Sequence, residues 1–322
     1  MLTMEMQALS LILARAGTKA RRAWLDRSFS VGQTQETRGA ETMDFFSSVD
    51  QPLDGEVMDE LDHIRHGHRF LTEEGAKIPA RNCIGGKRWV QDIIDGSSNF
   101  MTGEVDWSLS TALEQDGVPQ LAAIYCPARG ELVVSAEGQR TYYLNCHGRL
   151  LADIEGMIHD QTFVQASVNM FALPQTKKRE NPLELARIYW HTGKRRNFEL
   201  ARDDPWNTFP AKLANPGCTF CCTAALVKVA LGKLDGAAVA FQNHWDYAAG
   251  QLLIREAGGY FVAISRDYKR VLTAADFAEA SATKTPDGDE WLCYIFAART
   301  WEVLNAMVHH FGGQNLVNAI ND

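Results

Sequence analysis

The sequence predicts a mixed α/β protein, and three observations carry that expectation. The first 24 residues repeat apolar side chains at helical spacing, residues 89–134 break into short β-like runs divided by Gly-containing turns, and helix and strand patterns alternate again after residue 223. At 322 residues the chain can bury one large core or two packed domains. Its 46% apolar and 22% charged content is that of an ordinary globular protein.

The first helix is carried by Leu2, Met6, Leu9, Leu13, Ala16, Ala20 and Trp24, one apolar stripe at a period of about 3.6. A second starts near Asp50 and Pro52, which suit a cap and first turn, and runs through Val57, Leu61 and Ile64. A loop then leads to Phe70-Leu71-Thr72-Glu73-Glu74. Strands are expected at 89–94, 108–113, 120–125 and 131–134, with further ones at 141–144 and 162–166. Asp116-Gly117 and Arg129-Gly130 are turn signals, and their short spacing favours antiparallel neighbours. Residues 174–216, rich in Pro, Asn and charge, read as a helix flanked by long surface connections. Residues 223–231 read as a helix and 237–241 as a strand. Asp246 then opens a helix with Ala249, Leu252, Leu253 and Ala257 on one face, stopped by Gly258-Gly259.

The net charge of −8 argues against a nucleic-acid surface, because counterion release rewards clustered Lys and Arg. An acidic protein that handles a phosphate needs local positive charge, and bound cations are one source. Seven cysteines, an odd and irregular set, form no disulfide framework and point to a reducing cytoplasm. The apolar run at 9–14 lacks a preceding positive residue, so no signal peptide is expected. No apolar stretch reaches the about 18 residues of a membrane span.

Residues 89–100, Trp-Val-Gln-Asp-Ile-Ile-Asp-Gly-Ser-Ser-Asn-Phe, carry the most chemistry. In an uninterrupted strand Asp92 and Asp95 would face opposite sides. A turn at Asp95-Gly96 is therefore expected to swing the second carboxylate beside the first. Two adjacent carboxylates repel unless a cation lies between them, and Mg²⁺ prefers oxygen ligands. N–H groups of Gly96 and Ser97, freed at the following helical turn, suit a phosphate. Asp246, at a helix start, is favoured by the helix dipole and is a distant contributor to the same cluster.

Residues 89–100 resemble the signature of the inositol monophosphatase family, W-x-x-D-P-(I/L)-D-G-T-x-N-F. Two further segments follow in family order: Phe70 to Glu74 resembles F-x-G-E-E, and Trp245-Asp246-Tyr247-Ala248-Ala249-Gly250 resembles W-D-x-A-x-G. The resemblance implies a sandwich of alternating helix and sheet layers. Residues 1–165 would form an N-terminal half with most metal ligands, and 166–322 a C-terminal half contributing Asp246. It implies two or three Mg²⁺ held by Glu73, Asp92, Asp95, Asp246 and the Ile93 carbonyl. Glu73 and Ser97 would position the attacking water, and Gly96, Ser97, Asp95, Ala224 and Asp246 would meet the substrate. Asp50 matches an aspartate that hydrogen-bonds the hydroxyl at the Ser97 position. Inhibition by Li⁺ is implied too.

Departures from the family pattern bear on specificity. Ile93 stands for Pro, Ser97 for Thr, Thr72 for Gly, and Cys222-Thr223-Ala224-Ala225 for Gly-(S/T)-A-A. Val239 stands where inositol-specific members carry a Glu. The expected activity is hydrolysis of a small phosphomonoester such as inositol monophosphate. Alternatives of the same fold are 3′-phosphoadenosine 5′-phosphate, histidinol phosphate or a sugar bisphosphate. An alternative of another class is a non-catalytic regulatory relative. A small phosphorylated metabolite and a second copy of the chain are the expected partners, without nucleic-acid polymer or membrane.

Other features read as structural. His63, His66 and His68 span a helix end, where His side chains cap carbonyls. Cys218-x-x-Cys221-Cys222 lacks a second Cys/His pair and reads as buried thiols. Lys177-Lys178-Arg179 and Lys194-Arg195-Arg196 read as solvated surface, with a second substrate phosphate as the other reading. Glu74 reads as structural.

Overall fold

A computed structural model describes residues 1–35, 43–64, 67–74, 86–172, 181–191, 204–213, 215–265, 267–280 and 293–321. Helix α1 (Met4–Asp26) is capped by Thr3, whose hydroxyl accepts from the Met6 N–H. The antiparallel pair β1 (Val31–Gln35) and β2 (Met43–Ser47) precedes α2 (Asp50–Ile64). A seven-stranded sheet then forms in chain order. Its strands are β3 (Arg69–Thr72), β4 (Lys87–Asp95), β5 (Ser108–Gln115), β6 (Val118–Cys126), β7 (Glu131–Ala136), β8 (Tyr142–Asn145) and β9 (Val164–Gln165). Strand β3 lies parallel to β4, and every later pair is antiparallel. Helix α3 (Ser97–Thr102) follows β4, and α4 (Leu151–His159) precedes β9.

The second sheet has five strands. They are β10 (Arg187–His191), β11 (Asn215–Gly217), β12 (Gly236–Gln242), β13 (Tyr260–Ile264) and β14 (Cys293–Ala298), in the spatial order β11-β10-β12-β14-β13. Helices α5 (Pro205–Thr208), α6 (Cys222–Ala230), α7 (Ala248–Glu256), α8 (Ala274–Ala280) and α9 (Trp301–Asn321) are the remaining α-helices among the described residues.

Alternation along the strands sets the layers. On β6, Leu121, Ala123 and Tyr125 pack with α1, α2 and α4, while Ala122, Ile124 and Cys126 pack with α6 and α7. On β12, Ala237 and Val239 face that same α6–α7 layer, and Ala238 and Ala240 face α9. The order is helices, sheet, helices, sheet, helix. Strands buried on both faces read as near-continuous apolar runs, which is why β6, β12 and β14 lack polar alternation.

Two expectations need correction. Within 174–216 the regular core is a strand, β10, inside the second sheet, beside short helical turns. Its Ile-Tyr-Trp stretch is β-forming, but the strand is only five residues long between charged and Pro-containing flanks. Residues 69–72, reached by the expected loop and given no element, form a strand because they pair with β4. Asp246 ends a 3₁₀ turn, His244–Asp246, and α7 begins only at Ala248. Both basic clusters, 177–179 and 194–196, lie outside the described residues, as does His66.

Candidate active site

The centre is built at the end of β4. The pairing of β4 with β5 shifts between Asp92, opposite Ser110, and Asp95, opposite Ser108. Two residues on β4 thus face one on β5, which is a β-bulge. Its signature is that Ile93 and Ile94, though consecutive, both enter the core beneath α1 and α2. The bulge, inside the strand and ahead of the expected Asp95-Gly96 turn, removes the alternation that would separate the two carboxylates. Asp92 Oδ1 accepts from the Ile94 N–H at 3.0 Å, holding the kink.

Glu73 follows β3, whose Thr72 pairs with Gln91, so parallel pairing delivers it beside Asp92. Asp246 arrives from the second sheet through the turn after β12, where its Oδ2 accepts from the Asn243 N–H at 2.8 Å. Oxygens of Glu73, Asp92 and Asp246 lie within 4.8 Å of one another. Burial raises the Asp92 carboxyl well above the carboxylate range, and the charges of Glu73, Asp95 and Asp246 raise it further.

Asp95 stands beside this trio with one oxygen engaged elsewhere. Its Oδ2 accepts from the Thr223 N–H and hydroxyl, both at 2.6 Å, and from the Cys221 thiol at 3.2 Å. Asp95 therefore caps the first turn of α6, where the helix dipole favours its charge. Burial still raises its pKa, against the pull of those donors. Gly96 starts α3 at φ 84°, and a Cβ there would meet the Asp106 carbonyl at 2.9 Å and the Cys221 Cβ at 3.0 Å. The first-turn N–H groups of α3 have no intrahelical acceptor, which suits them to an anion.

Other expected residues fall differently. Ser97 Oγ donates to the Ile94 carbonyl at 3.0 Å. Asp50 instead takes the Ser47 N–H at 2.9 Å and the Ser47 hydroxyl at 2.5 Å, so the implied Asp50–Ser97 bond is replaced by two local ones. Buried, Asp50 has its pKa pushed up to about 6. Ala224 is fully buried, and its N–H reaches Cys221 Sγ at 3.4 Å. His63 Nδ1 sits 2.6 Å from the Asp59 carbonyl, a helix-end contact. Cys221 and Cys222 are buried, but Cys218 is exposed, against expectation. Among the described residues Glu73, Asp92 and Asp246 form the one carboxylate or His/Cys group spaced for a metal.

Sequence reading missed the residues behind this centre. Glu114, at 0% exposure, accepts from Arg88 Nε at 2.9 Å and from His244 Nε2 at 2.6 Å, tying β4 and β5 to the turn that carries Asp246. Asp54 Oδ1, also buried, accepts from Gln91 Nε2 at 2.5 Å. A Glu inside the apolar run of β5 was the available signal.

The layered fold carries, at a sheet end, an acidic cluster around buried Asp92 that could hold a metal ion. The chain matches the inositol monophosphatase family over residues 4–299 and belongs to it. The inositol-1-monophosphatase of Mesorhizobium japonicum is 28% identical over 261 residues, covering 80% of this chain and 86% of that one. The Escherichia coli K12 protein named Nus factor SuhB is 25% identical over 268 residues, covering 81% and 87%. The crystal structure of extragenic suppressor protein suhB from Bartonella henselae superposes with a TM-score of 0.67 at 20% identity, covering 96% of this chain and 98% of that one. Among the described residues no helix is long and apolar enough to cross a membrane.

Proposed function

We propose that this protein is a Mg²⁺-dependent hydrolase of a small phosphorylated metabolite. The observation that carries the reading is the approach of Glu73, Asp92 and Asp246 within 4.8 Å. Carboxylates so placed, with Asp92 buried, stay ionised only with positive charge among them, and an all-oxygen donor set suits Mg²⁺. Glu73, Asp92, Asp246, the Ile93 carbonyl and the remaining oxygen of Asp95 would hold two or three ions. Bound cations acidify a water and offset charge on the departing oxygen.

The chain's own groups do the rest. Glu73 and the Ser97 hydroxyl orient the attacking water, and the N–H groups of Gly96 and Ser97 hold the phosphate. Asp50 fixes the approach to α2 through Ser47. Asp95 links the phosphate-holding turn to α6, with Ala224 supporting the substrate side. A screen of about a dozen phosphometabolites for phosphate release with Mg²⁺ tests the reading. Polyol monophosphates, nucleotides, histidinol phosphate and sugar bisphosphates belong in it, and no turnover of any ester would end the proposal. The name of the Escherichia coli relative favours a second reading, a regulatory protein whose acidic centre is not used for turnover.

A further inference from the structure

The corner where β4 ends, Asp95-Gly96-Ser97, is backed by a residue outside the three sequence motifs. Gly96 lies so close to the Asp106 carbonyl that a Cβ would stand 2.9 Å from it. The same carbonyl accepts from Asn99 Nδ2 at 2.5 Å, and buried Asn99 also donates to the Thr219 carbonyl on the approach to α6. One backbone oxygen therefore abuts Gly96 and bonds the helical turn that follows it.

Asp106 lies in the loop after α3, ahead of the first β5 ladder position at Ser108, so its side chain has to fix it. Its Oδ1 accepts from Arg129 Nη1, in the turn between β6 and β7, at 2.5 Å, and its Oδ2 from Lys228 Nζ on α6 at 2.9 Å. Arg129 pairs in turn with Glu131 on β7 at 2.6 Å, and Glu131 with Lys233. Burial pushes the Asp106 carboxyl up, but Lys228 and Arg129 outweigh it and leave its pKa below the ordinary value. Ion pairs this far from water gain little net stability over apolar packing. Two of them on one carboxylate, from different elements, fix where its loop stands.

We propose that Asp106 is a positioning residue for bound phosphate: anchored by Arg129 and Lys228, it holds the Gly96-Ser97 corner in place from behind. The proposal rests on the phosphatase reading above, which puts phosphate and the attacking water at that corner. Asp95 is held separately by Thr223 and Cys221, so loss of Asp106 leaves the carboxylate group for the metal in place and displaces the phosphate contacts. On charge alone, removing a carboxylate favours an anion nearby. Weaker phosphate binding without Asp106 therefore has to come from displaced donors.

The test is calorimetry with Mg²⁺ alone, then with inorganic phosphate at saturating Mg²⁺, on the wild type, Asp106→Asn and Lys228→Met, with circular dichroism as the folding control. In Asp106→Asn the phosphate affinity is expected to fall about tenfold and the Mg²⁺ affinity to change less than about twofold, since donors misplaced by about 1 Å cost this much or more. Lys228→Met keeps the Arg129 anchor and should lose about threefold; the double variant should lose no more than Asp106→Asn, because Lys228 acts through Asp106. In turnover, KM should rise for any ester with kcat less affected. Phosphate affinity unchanged or raised in Asp106→Asn, or Mg²⁺ and phosphate affinity lost together, overturns the proposal. Should Asp106→Asn not fold, Lys228→Met decides by the same two affinities. Phosphate binding that depends on Asp106, without release from any ester, upholds the proposal and removes the phosphatase reading. Release by a protein whose phosphate affinity is indifferent to Asp106 does the reverse.

Discussion

Replacing Glu114 tests how the centre is braced. Its two oxygens hold Arg88 at 2.9 Å and His244 at 2.6 Å, with side chains exposed by 4%, 0% and 3% for Arg88, Glu114 and His244. Glu114→Ala leaves a buried guanidinium without its counter-ion, and breaking a buried pair in this way costs about 3–5 kcal/mol. Glu114→Gln keeps the shape and one acceptor and should cost about half as much. Burial pushes the Glu114 carboxyl up, but His244 and Arg88 outweigh it and leave its pKa below the ordinary value. The folded value is therefore lower than the unfolded one. The stabilisation is complete above the unfolded 4.5 and is lost as the pH falls through the folded value. Urea unfolding of wild type and both variants at pH 7, and then at steps below pH 4.5, reads the effect directly. A loss under about 1 kcal/mol for Glu114→Ala, within reach of a surface substitution, would refute the bracing argument.

Asp95→Asn should fold normally and lose most turnover, since a charged ligand and the cap of α6 are weakened together, whereas Ser97→Ala should lose about 10²–10³ in kcat. Turnover numbers at saturating Mg²⁺, with circular dichroism as the folding control, separate the two. A chelator should abolish phosphate release, and added Mg²⁺ should restore it; undiminished release in the chelator would exclude the metal reading. Asp54→Asn should stabilise the metal-free protein at pH 8 by up to about 3 kcal/mol, because burial, helped by the Glu73 charge, raises the Asp54 carboxyl to about 6. A folded value above the unfolded one costs stability at high pH, so the gain should shrink as the pH drops through 6 and vanish below about 4. Denaturant midpoints against pH read that curve.

The fold was legible where elements are long or regularly spaced. α1 and the antiparallel run β4 to β8 carry periodicities that local residues set by themselves. What escaped was short and tertiary in origin. β10 is a strand because β11 and β12 flank it, and β3 because β4 offers it an edge. The 3₁₀ turn before α7 is held by the Asn243 N–H, which donates to the Asp246 carboxylate and diverts it from the helix start expected there.

The acidic motif was legible as a set of oxygen donors, but not the means by which it is held. Nothing in Asp92-Ile93-Ile94-Asp95 announces a bulge over a turn, because either device places the two carboxylates together; the choice falls to β5, which pairs on both sides of the irregularity. Nor does the motif show that Asp95 is shared. Its Oδ2 is bonded to Thr223 and Cys221 on the first turn of α6, and Thr223 is bonded in turn to Ser108 on β5. The strand that supplies Asp95 and the helix that receives it are thus locked by hydrogen bonds spanning more than a hundred residues of chain. A substitution at Thr223 or Cys221 would therefore reorient a carboxylate of the centre without altering any residue of the three motifs. For this reason a motif match alone overstates how securely the centre is assembled, and the first turn of α6 has to be read with it.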